Sequence, residues 1–198
     1  MKAVQKINLK IQQGVETRTA ILEKARLLFG QKGYRFTSTD DILNEVNVTR
    51  GALYHHFKSK QEIFEEICHI DNLQFANEIR RWSWPDFKRE WTEILELADD
   101  KMFIQIWIKD APSVLSTEQL LKLDEEFLVA PFTELLQKAI DENLLKPGSA
   151  TALANLFLGM INQALLVLSQ TRAREKKAVK QNFQTIIENW LTSLEVTN

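Results

Sequence analysis

Glycine and proline are scarce in these 198 residues, six of one and four of the other, and there is a single cysteine. So few chain breakers argue against a turn-rich β architecture, and no stretch alternates apolar and polar residues long enough to suggest a sheet. One thiol, Cys68, excludes an internal disulfide framework and suits a reducing cytoplasm. The opening MKAVQKINLKIQQG has neither an apolar core segment nor a small-residue cleavage site, so no secretion signal is expected. Chemistry-bearing constellations are also missing. There is no glycine-rich phosphate loop and no nucleophile paired with a base. His55 and His56 are adjacent, as are Cys68 and His69, so on a helix each pair diverges and cannot chelate one metal. The carboxylate pairs Asp40-Asp41, Asp99-Asp100 and Glu125-Glu126 read as solvated helix faces. Neither catalysis nor a cofactor is expected.

What is present is an ordinary soluble composition, 44% apolar and 26% charged, arranged almost throughout with helical periodicity. The expected fold class is all-α. The net charge of −2 hides a split. Residues 1–60 carry 11 Lys+Arg against 5 Asp+Glu, whereas residues 61–198 carry 14 against 22. A basic first third on an acidic remainder is the footprint of a nucleic-acid module joined to a domain of other purpose.

Within the basic third, TSTDDILNEVNVTRGALYHHFKSK (Thr37 to Lys60) divides into helix, turn, helix and turn. Thr37 with Asp40 opens the first helix as a capping box, and Ile42, Leu43 and Val46 form its apolar side. Asn47 tolerates the left-handed turn that follows. Thr49 caps a second helix from Arg50 to His56, and Ser59 with Glu62 starts a third. In the second helix Leu53 and Phe57 anchor one face at i, i+4 spacing, leaving Arg50, Ala52, Tyr54, His55 and His56 pointing away. Many hydrogen-bonding side chains over few apolar anchors suit a recognition helix in a major groove, where Gly51 permits close backbone approach. An ordinary surface pair of short helices has the same spacing.

Residues Thr17 to Ile67 resemble the DNA-binding domain of the TetR (tetracycline-repressor-like) family of transcriptional regulators. The words that carry the resemblance are RTAILEKARLLFGQKGY, TSTDDILNEV and TRGALYHHFKSKQEIF. Asn47 replaces the glycine usual in the family, and Ala52 a frequent Thr or Asn. The resemblance implies a homodimeric, cytoplasmic regulator, most often a repressor, that binds a palindromic operator and is released by a small molecule. The DNA-contacting set expected on this chain is Thr37, Ser38, Thr49, Arg50, Gly51, Ala52, Tyr54, His55, His56 and Lys60. Arg50, Tyr54 and His55 are expected nearest the bases; Thr37, Thr49, His56 and Lys60 are expected on phosphates.

The expected division is a frayed basic arm at 1–15 with Lys2, Lys6 and Lys10, a helix-turn-helix domain at 16–62, and a ligand-binding and dimerisation domain at 63–198. The first helix runs from Glu16 to Gln31, and Gly33 sits where positive φ is needed, with Tyr34 packing under the turn or reaching a phosphate. A long helix from Ser59 to Arg81 joins the two domains, and Trp82-Ser83-Trp84-Pro85 ends it. Asp86 to Lys109 reads as one helix, stopped by Asp110-Ala111-Pro112. Trp91, Met102, Phe103, Trp107 and Phe127, with the polar pair Asn162 and Gln163, are candidates for a pocket that accepts an apolar or aromatic effector.

Two closing helices carry matched stripes. Leu153, Phe157, Met160, Ile161 and Leu165 on one, and Phe183, Ile187, Trp190 and Leu194 on the other, are expected at a four-helix dimer interface, as the family resemblance implies. The uncharged run Ala150 to Thr171 also has the length of a membrane span, though Asn155, Asn162 and Gln163 would be costly in lipid. A membrane-associated or protein-interaction bundle is therefore the alternative to a DNA-binding regulator.

Overall fold

The computed structural model describes residues 2–196, with side chains from residue 11 onward. Helix α1 (Lys2–Lys32) supports a short pair, α2 (Thr39–Val46) and α3 (Arg50–His56), and α4 (Lys60–Ile79) leaves this unit as a rod of 20 residues. The segment expected to be a frayed arm continues α1 instead. Its Lys, Gln, Ile and Leu are good helix formers, and a helix already anchored by Ile21, Ala25 and Phe29 extends cheaply. Ile11 and Val15, both 61% exposed, lie beyond the packed part of that rod.

The second half is helical but repeatedly re-wound. Ser83 caps α5 (Trp84–Glu90), with Pro85 in its first turn. A 3₁₀ stretch, Trp91–Asp99, follows, and Asp100 caps the single turn α6 (Lys101–Phe103). A π-helical turn, Ile104–Asp110, then leads into α7 (Ala111–Val114). The one straight helix expected over Asp86–Lys109 is thus broken at Asp100, and Pro112 does not stop it. The Ala111 N–H reaches back to the Ile106 carbonyl, a register in which a proline one residue later is tolerated. Next come α8 (Thr117–Asp124), a second π turn (Glu125–Val129), α9 (Ala130–Asp141), α10 (Ala150–Gln170) and α11 (Ala173–Leu194). The chain end is tied to the α9–α10 turn: Lys146 N donates to Leu194 O at 2.8 Å and Val196 N to Leu144 O at 3.1 Å.

Two apolar cores form, and their boundary is informative. The first gathers Ile21, Ala25, Phe29, Ile42, Leu53, Phe57, Ile63 and Phe64, and is completed by Ile106, Ala111 and Leu115 from the other half. The second is built on Trp84, Phe87, Trp91, Phe132 and Phe157 with much of α9 and α10. The π turn and α7 therefore belong to the second half by sequence and to the first by packing. No strand longer than the isolated Leu145–Glu195 bridge occurs among the described residues.

Candidate nucleic-acid interface and effector cavity

The helix-turn-helix pair is held by caps and one buried bolt. Asn47 adopts φ 57° and closes α2, and Thr49 Oγ1 accepts from Ala52 N at 3.2 Å to open α3. Ser38, not Thr37, caps α2: its Oγ accepts from Asp41 N at 3.0 Å while Asp41 accepts from Ser38 N at 2.7 Å. Thr37 is 1% exposed and its hydroxyl donates to Gly33 O at 2.9 Å. Its expected phosphate contact is therefore replaced by a structural one.

Lys60 also turns inward. Its ammonium donates to Tyr34 O and Thr37 O, both at 2.8 Å, and lies 4.0 Å from the centre of the Tyr34 ring. Burial lowers its pKa, with Asp110 acting in the opposite sense. Two of three donors are spent on the turn between α1 and α2, so the geometry makes Lys60 a clamp before it makes it a phosphate ligand. Tyr34 packs, its ring 5.2 Å from that of Phe64 and 5.4 Å from that of Phe29.

On α3, Leu53 and the following Phe57 are fully buried, while Thr49, Arg50, Gly51, Tyr54 and His55 are exposed. Ala52 and His56 are half-buried. Arg50 is paired at 2.5 Å with Asp40 of α2, an exposed ion pair of little stability that is readily exchanged for another anion. The His56 ring faces Gly14 of α1, and burial lowers its pKa, helped by His55 and Arg18. The lowered pKa disfavours the cationic form that a phosphate would attract. Sequence reasoning passed over Phe36, 74% exposed two residues before the α2 cap and beneath the Arg35 guanidinium. Nothing in its spacing distinguishes it from a core residue.

A cavity of about 790 Å³ lies in the second half, between α4, the 3₁₀ stretch, the first π turn, α8 and α10. Of the pocket candidates, Phe103, Trp107 and Asn162 lie on its wall. Four other candidates do not. Trp91 is 1% exposed and its indole N–H donates to Glu188 at 2.8 Å. Phe127 is buried edge-on to His69. Met102 packs against Gly30 of α1, where a Cβ would sit 2.8 Å from Met102 Cγ, and Gln163 faces outward. Cys68 is fully buried, and burial with Asp71 and Glu65 pushes its thiol up to about 12, so it stays protonated and unreactive.

The dimer stripe needs a larger correction. Phe157, Ile161, Leu165 and Ile187 are at most 3% exposed inside one protomer, and Leu153, Met160, Phe183, Trp190 and Leu194 pack against the same core. The opposite faces are free: Leu156 is 59% exposed and Ile186 63%, and nothing lies within 4 Å of where a Gly159 Cβ would be, while Leu166, 39% exposed, borders the cavity.

Residues 21–67 match the family described as bacterial regulatory proteins, tetR family, and residues 84–190 match the tetracyclin repressor-like C-terminal domain. The chain belongs to the TetR family. It is similar to the Transposon Tn10 TetC protein of Escherichia coli, 26% identical over 90% of this chain and 92% of that one. The biofilm operon icaADBC negative transcriptional regulator IcaR of Staphylococcus aureus is 46% identical over 27% of this chain and 30% of its own. The crystal structure of a TetR-family transcriptional regulator from Pectobacterium atrosepticum superposes with a TM-score of 0.76 at 25% identity, over 94% of this chain and 97% of that one. Like other TetR-family members, a family in which repressors are common, the chain is a DNA-binding transcriptional regulator and not an enzyme.

Proposed function

We propose that this TetR-family protein acts in the cytoplasm as a homodimeric repressor that grips a palindromic operator and lets go when a small apolar or aromatic molecule enters the 790 Å³ cavity. The observation that carries the reading is the division of α3 into a buried anchor, Leu53 with Phe57 beyond it, and an exposed set, Arg50, Tyr54 and His55. Such a helix has its donors and acceptors free for base edges. Thr49 at its start and Ser38 at the start of α2 are exposed and suit phosphate contacts. Pairing through the outward faces of α10 and α11, at Leu156, Gly159 and Ile186, covers apolar surface that one protomer leaves bare. The same covering accounts for α10 without a membrane, since half of its residues already pack into the protein core.

Release runs through a shared element. Trp107 and Ile108 face the cavity from the π turn. From that same turn, the Asp110 carboxylate accepts from Tyr34 N at 2.8 Å and from Gln105 Nε2 at 3.1 Å, gripping the loop that feeds α2. A ligand that displaces the π turn shifts this grip together with α4. Selection of bound fragments from genomic DNA tests the reading. The expected consensus has two-fold symmetry, with half-site centres about 34–36 Å apart. Recovery of unrelated sequences, or of one asymmetric half-site, would overturn it.

A further inference from the structure

The polar side chains on the cavity wall divide into those with partners and those without. Asp71 accepts from Arg26 Nε at 3.0 Å, Asp100 accepts from the amides of Met102 and Phe103, and Glu78 pairs with Arg81. Asp124, the last residue of α8, has neither a hydrogen bond nor an ion pair among the described residues, and burial alone raises its pKa. Asn72 of α4 is 7% exposed, and its side-chain nitrogen is buried without an acceptor. Asn162 and Gln74 on the same wall are exposed to solvent. The wall thus carries four carboxylates, and its single basic side chain, Arg26, is already engaged by Asp71.

From this arrangement we infer that the effector is a hydrophobic cation: a protonated amine on an aromatic or aliphatic frame, its charge at Asp124 and a neighbouring acceptor atom at Asn72. The inference rests on the reading of the cavity as the effector site. An unpaired carboxylate that is half-buried and an unpaired amide donor that is fully buried are costly in an empty protein and rewarding in a filled one. A cation gives Asp124 the counter-charge that no side chain supplies, and an oxygen or nitrogen acceptor on the ligand satisfies the Asn72 amide. Anionic ligands meet the reverse situation, since the wall carries an excess of negative charge and no free base. The remaining surface, with Phe75, Phe103, Trp107 and Phe132, accepts a flat apolar body and can stack over a cationic head.

The test uses the full chain and three probes that share one body: 2-(2-naphthyl)ethylammonium, 2-(2-naphthyl)ethanol and 3-(2-naphthyl)propanoate, titrated calorimetrically. The ammonium should bind at least tenfold more tightly than the alcohol, with the carboxylate weakest. Asp124→Asn, which keeps the side-chain shape, should bring the ammonium down to the level of the alcohol. Asn72→Leu should leave the preference for the cation but weaken an amino-alcohol analogue relative to the simple amine. Thermal melts of both variants establish that they fold. Equal binding of ammonium and alcohol by the parent protein, or a preference for the carboxylate, would overturn the cation assignment while leaving the effector cavity in place. Binding of none of the three would overturn both.

Discussion

Lys60 shows how one side chain changes meaning between sequence and structure. Its place at the start of α4 suggested a phosphate ligand, yet its ammonium bonds the carbonyls of Tyr34 and Thr37. Replacing Lys60 by Ala should cost about 1–2 kcal/mol of stability, measurable by chemical denaturation, because two charge-assisted hydrogen bonds are lost. The slope of operator affinity against salt should not change. A slope shallower by about 0.9 would instead count one phosphate contact. Thr37 behaves in the same way, the capping role passing to Ser38 one residue on. Spacing alone does not separate Thr-Ser neighbours as caps, because either hydroxyl reaches a free amide if the backbone turns one residue earlier or later.

Among the elements, the π turn Ile104–Asp110 is the one on which the proposed release mechanism rests. It places Trp107 and Ile108 toward the cavity, Ile106 into the core of the DNA-binding unit, and Asp110 on the Tyr34 amide. Asp110→Ala leaves that amide and Gln105 without their acceptor, and should destabilise the fold by about 1–3 kcal/mol. More tellingly, it should weaken operator binding while a cavity probe still binds within a few-fold of the parent. Band-shift titration alongside calorimetry checks this, and parallel losses in both would contradict a coupling role. The helix-turn-helix elements were readable in advance because caps and turn residues act locally: Asn47, Thr49 and Gly33 all sit where their chemistry demands. The re-wound helices after Trp84 were not. A π turn arises from packing between Ile106 and the first core, which no short-range pattern encodes.

For the whole molecule, the difficulty was telling one face of a helix from the other. Helix α10 is apolar nearly all round, so periodicity marked a stripe without saying whether it meets its own protomer or a second copy. The structure assigns Phe157, Ile161 and Leu165 to the protomer's own core, and leaves Leu156, Leu166 and Ile186 exposed. The basic first third seen in the sequence shares its core with α4, the π turn and α7, so the charge boundary does not coincide with a packing boundary. In the proposed dimer, operator binding depends on what holds two α3 helices at a fixed separation.

Sedimentation of the full chain, with and without operator DNA, tests that dependence most directly when the parent is run beside a Leu156→Glu, Ile186→Glu double variant. The parent should sediment as a dimer and bind one operator per dimer. The variant should be monomeric, with an unchanged helical circular-dichroism spectrum and at least a hundredfold weaker operator binding, because two buried charges oppose pairing. A monomeric parent, or a variant that dimerises and binds as tightly as the parent, would contradict the account.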